Sequence, residues 1–105
     1  MRVKRLIAIG CMALLGSTAY AAGDATEGRK LAGNCIGCHG IPSYTNVYPT
    51  FRVPRLGGQH ADYLVSALQG YKKGDRKHAT MQAQAATLSD QDMQNLAAYF
   101  STFGQ

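Results

Sequence analysis

The string Cys35-Ile36-Gly37-Cys38-His39 constrains this chain more than any other feature. Two thiols one helical turn apart, followed at once by an imidazole, form the attachment pattern of a c-type haem. The thiols add to the two haem vinyl groups, and the adjacent imidazole is carried under the iron as its fifth ligand. A C-x-x-C pair can also serve as a dithiol redox couple or as half of a zinc site. A zinc site wants a further pair of Cys or His at matching spacing, and the chain supplies none. The expected cofactor is therefore one covalently bound haem c, held by Cys35 and Cys38 with His39 on the iron.

The N-terminus supplies the context. Arg2, Lys4 and Arg5 precede the apolar run 6–15, and small residues follow up to Ala19-Tyr20-Ala21. These are the three parts of a secretory signal peptide cut after Ala21. The run falls short of the roughly 20 apolar residues a transmembrane helix needs, so no membrane span is expected in the mature chain; an uncleaved anchor is the lesser reading. Cys11, preceded by Ala8-Ile9-Gly10, faintly suggests a lipoprotein cleavage site, but the apolar run before it is very short. The expected division is a signal peptide over 1–21 and one domain over 22–105, exported to the periplasm. In that oxidising compartment Cys35 and Cys38 would be the remaining thiols, to be joined in a disulfide or consumed by a ligand.

The 84 residues from Ala22 onward make a small domain, and a small domain buries too little apolar surface to be comfortable without a staple. A covalent haem would supply the missing core. Removing 1–21 takes three of the eleven Lys and Arg and none of the six Asp and Glu, so the formal charge falls from +5 to +2. Two haem propionates would bring it near neutral, and neither nucleic acid nor an anionic membrane surface is indicated.

Along the mature chain, Asp24 can cap a helix over 25–34 that delivers the chain into Cys35. The stretch 40–58 holds Pro42, Pro49 and Pro54, which forbid a long helix. A second helix is expected over 61–71, where Tyr63, Leu64, Ala67, Leu68 and Tyr71 recur at helical spacing. The segment 72–78 is polar and basic, with Gly74 as a turn, and 81–86 shows no clear period. The last helix opens on Ser89 with Asp92 three later, a capping box, and carries the stripe Met93, Leu96, Ala97, Phe100 before Gly104. No strand pattern or internal repeat is present. An all-α chain around a prosthetic group follows.

The far side of the iron needs a ligand. Met93 sits on the apolar stripe of the last helix, where ordinary core packing explains it. Met81 lies between two helices in a segment with no periodic reason to be apolar, placed to close over the opposite face as sixth ligand. His78, three residues earlier, is a competitor that would give a bis-histidine iron of lower potential; its other reading is a solvated member of a basic loop. His60, after Gly57-Gly58-Gln59, belongs near the N-terminus of the second helix.

Across nearly all of 22–105 the chain resembles the class I c-type cytochromes, in particular the small soluble bacterial monohaem cytochromes c and each half of the dihaem cytochromes c. The resemblance rests on Cys35-Ile36-Gly37-Cys38-His39-Gly40, on Pro54-Arg55-Leu56-Gly57-Gly58-Gln59 with Tyr63-Leu64, on Met81, and on Leu88-Ser89-Asp90 leading to Leu96-Ala97-Ala98-Tyr99-Phe100. It implies the cytochrome c fold, three to five helices wrapped around one haem, with His39 and Met81 as axial ligands. It also implies that the Pro54 carbonyl accepts a hydrogen bond from the His39 ring, fixing its orientation and raising its basicity. In this family the first and last helices cross at close range. Here Gly28 would permit the approach, with Leu31 beside it and Leu96 and Tyr99 opposite. Many relatives carry an aromatic at the position of Leu31, so the crossing is expected to be less tightly filled. With no Trp in the chain, Tyr44, Tyr48 and Arg55 are candidate donors to the propionates.

A six-coordinate iron offers no position for oxygen or substrate, so the expected function is a periplasmic electron carrier cycling between Fe(II) and Fe(III), not an enzyme. The expected partners are redox proteins. Lys72, Lys73, Arg76 and Lys77 would set positive charge beside the haem opening and steer an acidic partner, unless that loop is only solvated and balances the propionates. A cytochrome subunit of a periplasmic dehydrogenase or reductase is the alternative. A haem ligand sensor, a peroxidase-like enzyme and a haem-free thiol oxidoreductase fit less well. Oligomeric state is not legible in the sequence.

Overall fold

Asp24 begins the first helix by turning its carboxylate back on the backbone: Oδ1 accepts from the amides of Thr26 at 2.7 Å and Glu27 at 3.2 Å. The computed structural model describes residues 22–46 and 52–103. Helix α1 spans Ala25–Leu31, α2 Gly33–His39, α3 Ala61–Lys73, α4 Ala79–Ala86 and α5 Asp90–Thr102. The expected signal segment 1–21, Tyr48, Pro49 and Gly104 lie outside the described residues. Among those residues there is no strand, only an isolated antiparallel bridge between Thr45 and Arg52. The all-α class is as expected, with five helices.

Two boundaries differ from the sequence reading. The helix expected over 25–34 is interrupted at Ala32, whose amide is shared between the carbonyls of Gly28 and Arg29 at 3.0 and 3.3 Å. The chain then resumes as α2, so Cys35, Cys38 and His39 stand on a helix of their own rather than just after one. Ala32 itself is fully buried in the core, and the burial of that small side chain fixes the bend. The second difference is Met81, which lies in helix α4 and not in an irregular segment. The reason is intrinsic propensity. Apart from Thr80, Ala79-Thr80-Met81-Gln82-Ala83-Gln84-Ala85-Ala86 is built from strong helix formers, and it buries only Ala85, so there was no apolar period to see.

The other two helices match more closely. Helix α3 runs two residues beyond the expected end and stops at Gly74, whose φ of 86° is the left-handed conformation glycine adopts without a Cβ clash. Helix α5 carries the expected capping box: Ser89 Oγ accepts from the Asp92 amide at 3.0 Å, and the Asp92 carboxylate accepts from the Ser89 amide at 2.9 Å.

The core is small. Ala32, Leu64, Val65, Leu96, Ala97 and Phe100 form one buried cluster, with α5 packed against both α1 and α3. Met93 is fully buried on α5, as core packing requires. Helix α4 packs on α3 alone among the helices. The α1–α5 crossing is the closest approach. A Cβ on Gly28 would fall 1.9 Å from the Asn95 carbonyl oxygen and 2.9 Å from Tyr99 Cβ, so only glycine fits.

Candidate functional site

All five helices, Asn46 and the loop after Arg52 line one cavity of about 460 Å³. Cys35, Cys38 and His39 line it from α2, and Met81 lines it from α4. The rest of the wall is largely apolar, from Leu56, Leu64, Leu68, Leu88, Leu96 and Phe100. Four residues from two separate stretches of sequence thus share one space.

Each is positioned by identifiable contacts. The three-residue offset along α2 puts both thiols on one face, and both are free and half-buried. Burial pushes the Cys35 thiol above its ordinary value, with Cys38 beside it adding to the effect, so the group is held as the neutral thiol. His39 ends α2, and its Nδ1–H donates to the Pro54 carbonyl at 2.6 Å. A carbonyl can only accept, so the proton sits on Nδ1, and Nε2 carries the lone pair. Pro54 has no amide of its own to satisfy and offers only that acceptor.

The other candidates separate. Arg55 lines the cavity, joined by Asn46, Arg52 and Gln59 on the same loop side, which the sequence reading did not single out. Tyr44 does not line it; its carbonyl accepts from the Val53 amide at 2.9 Å and braces the loop. His78 also lines the cavity, but it is not simply a solvated loop residue. Half-buried, it caps α4, with Nδ1 accepting from the Met81 amide at 3.3 Å. His60 precedes α3 at the cap position and is exposed, as expected. The signal for His78 was available: a polar residue directly before an alanine-rich run is a helix start, though His is an uncommon cap.

The lining fits a haem on physical grounds. A void of 460 Å³ held dry would cost on the order of 10 kcal/mol at the energy per unit volume of core cavities, comparable with the whole stability of a small domain. Apolar walls on so large a space call for an apolar body to fill it. Two thiols on one helical face, an imidazole oriented by a carbonyl at Nδ1, and a thioether from another helix in the same space are donors of the kind that would hold a covalently attached iron porphyrin. No group of three or more His, Cys, Asp or Glu that would hold a bare metal ion occurs among the described residues.

Comparison with known proteins agrees. The cytochrome c family model matches residues 25–103. Cytochrome c-554(548) of Halomonas halodenitrificans is 40% identical over 84 residues, covering 77% of this chain and 98% of that protein. Cytochrome c4 of Pseudomonas aeruginosa is 36% identical over 100 residues, which is 95% of this chain but 46% of the relative, so the chain spans about half the length of that protein. The structure of cytochrome c4 from Acidithiobacillus ferrooxidans superposes with a TM-score of 0.65 at 25% identity, covering 83% of this chain and 54% of the other. On motif, fold and relatives together, the chain belongs to the cytochrome c family, whose cofactor is covalently bound haem c.

Proposed function

We propose that the chain is a periplasmic one-electron carrier whose haem is held by Cys35 and Cys38 and ligated by His39 and Met81. The observation that carries the reading is the shared cavity, with His39 on one wall and Met81 on another. Haem c, when bound, supplies an iron that accepts and releases one electron. The chain does the rest. Cys35 and Cys38 would tie the group to α2, a useful property in a dilute exported setting. The Pro54 carbonyl holds the His39 ring through Nδ1 and makes Nε2 a better donor. Met81, on a helix packed against α3, would occupy the last iron position and exclude oxygen and substrate. The largely apolar lining keeps water out and limits the reorganisation that accompanies a charge change.

A basic rim would govern encounters. Lys72, Lys73, Arg76 and Lys77 are all exposed, with Lys72 donating to the Leu88 carbonyl and Arg76 lying over the Tyr71 ring at 4.6 Å. An acidic docking face on the partner would then be steered by these four charges together, and transfer rates should fall as salt rises. A rate indifferent to ionic strength would remove the docking face from the reading. Two relatives, from Thiomonas intermedia at 32% identity and Stutzerimonas stutzeri at 38%, are named as electron acceptors of thiosulfate dehydrogenase, which favours a fixed complex with a dehydrogenase or reductase as the second reading. Tight co-purification with a larger chain would select it.

The test of the ligand set is the visible and far-red spectrum of the haem-loaded protein in both oxidation states, repeated with Met81→Ala. A ferric sulfur-to-iron charge-transfer band that vanishes in the variant is the expected result. Absence of that band in the unaltered protein, with ready binding of carbon monoxide on reduction, would open the sixth position and replace carriage with sensing or catalysis.

A further inference from the structure

Helix α4 is weakly held for an element that carries a ligand. It has eight residues, buries only Ala85, and packs on α3 alone among the helices. A helix this short does not persist on propensity. Thr87, which follows its last residue, contributes only a backbone amide to the cap. At the other end, the His78 carbonyl accepts from the Gln82 amide at 2.8 Å, closing the first turn, and the His78 ring accepts from the amide of Met81 itself. The one side-chain cap on α4 therefore acts on the backbone of the residue that carries the thioether.

We propose that His78 is the positioning residue for Met81: by capping α4 at the Met81 amide, it keeps the first turn wound and the thioether presented to the cavity. The inference rests on the reading of Met81 as sixth ligand. Accepting from an amide requires a bare Nδ1, so the ring proton sits on Nε2, the opposite arrangement to His39. First turns are where helices fray, and when this one unwinds the direction of the Met81 side chain is lost with it. Asn, Asp and Ser are stronger caps than His. Histidine adds something they lack: its ring also lines the cavity that Met81 lines, so one side chain fixes the ligand's backbone and completes the wall beside it.

The experiment is titration of the ferric holoprotein with imidazole, which competes with the thioether for iron, followed by loss of the far-red sulfur band. His78→Ala should lower the apparent dissociation constant for imidazole about fivefold, as a lost cap does to a helix equilibrium. His78→Asn, which restores a cap, should stay within about twofold of the unaltered protein. Ser89→Ala removes the cap of α5 and should lower global stability without that change in imidazole affinity, separating positioning from general weakening. An unchanged constant in His78→Ala, or one shifted no more than in Ser89→Ala, overturns the proposal while the band still upholds Met81. Absence of the band in the unaltered protein instead overturns the Met81 assignment. If His78→Ala yields no haem-loaded protein, His78→Asn and His78→Gln carry the comparison, since Gln keeps bulk but caps poorly; equal constants for the two overturn it.

Discussion

The α1–α5 crossing and the α3–α4 side of the cavity are built on opposite terms. At the crossing, backbone meets backbone: Cβ atoms on Gly23 and Gly28 would each fall 1.9 Å from a carbonyl oxygen of α5. The chain answers its own polar groups there. Asn95, buried on α5, accepts from the Asp24 amide at 2.8 Å and from Gln91 at 3.1 Å, joining the cap of α1 to the middle of α5. Across the molecule, α4 meets α3 alone, and the inner faces of both border a cavity that the chain does not fill. One region is finished by its sequence. The other is finished only when the haem is in place, so the two should respond differently to the same insult.

The largest effect should come from withholding the haem. Replacing Cys35 and Cys38 together by Ala removes the attachment, and the cavity must then flood or collapse. Either outcome forfeits burial on the order of the domain's whole stability. The double variant should show no cooperative thermal transition by circular dichroism, with residual helix confined to the crossing. A cooperative melt near that of the loaded protein would show that the α3–α4 side is complete without cofactor, and the contrast would fail.

Next in size is an attack on the finished region. Gly28→Ala drives a methyl into backbone that cannot move aside, and should cost about 3 kcal/mol in denaturant unfolding of the holoprotein. Gly33→Ala is its control, because a Cβ there meets nothing within 4 Å; better helix propensity should leave stability unchanged or raised by up to about 1 kcal/mol. Equal losses in both would mean that the close approach is not what glycine serves. Asn95→Ala should be milder, about 1–3 kcal/mol, because it strips the acceptor from the part-buried Asp24 amide. A loss close to zero would show that water replaces the bond and that the join between cap and helix is incidental.

The same contrast explains what could be read from the chain beforehand. Gly28 was legible because glycine inside a helix needs a reason, and Ser89 with Asp92 was legible because a capping box has a local spacing. Cys35, Cys38 and His39 announced their chemistry in five residues. Asn95 was not legible, since nothing local distinguishes a polar residue on a helix that turns inward from one that faces water. The helical state of Met81 was missed because periodicity reports burial, and α4 buries almost nothing of its own. Its packing partners are α3 and the cavity, and only the fold brings them to it. The cap at His78 was overlooked for the same reason, although the alanine-rich run after it was a signal of a helix start. A cap is recognised by the helix it starts, and that helix had no apolar stripe.

The smallest effect should come from a contact that lies within the finished region yet contributes nothing to finishing it. Lys30 and Glu27 are an ion pair at 2.6 Å on α1, with side chains 67% and 53% exposed. The hydrogen bond to Glu27, and then its charge, raise the Lys30 ammonium above its ordinary value of 10.5. A group raised on folding lends its stability below the unfolded value and loses it as pH rises through the folded one, so the contribution of the Lys30 ammonium is present at neutral pH and is lost in strong alkali. Water and salt screen what remains. Lys30→Gln should therefore leave the melting temperature unchanged at neutral pH, in low salt and in high salt alike. A drop comparable with that of Asn95→Ala would mean that α1 is held to α5 by its surface charges as well as by its glycines, and the crossing would no longer be the region that backbone contact alone completes.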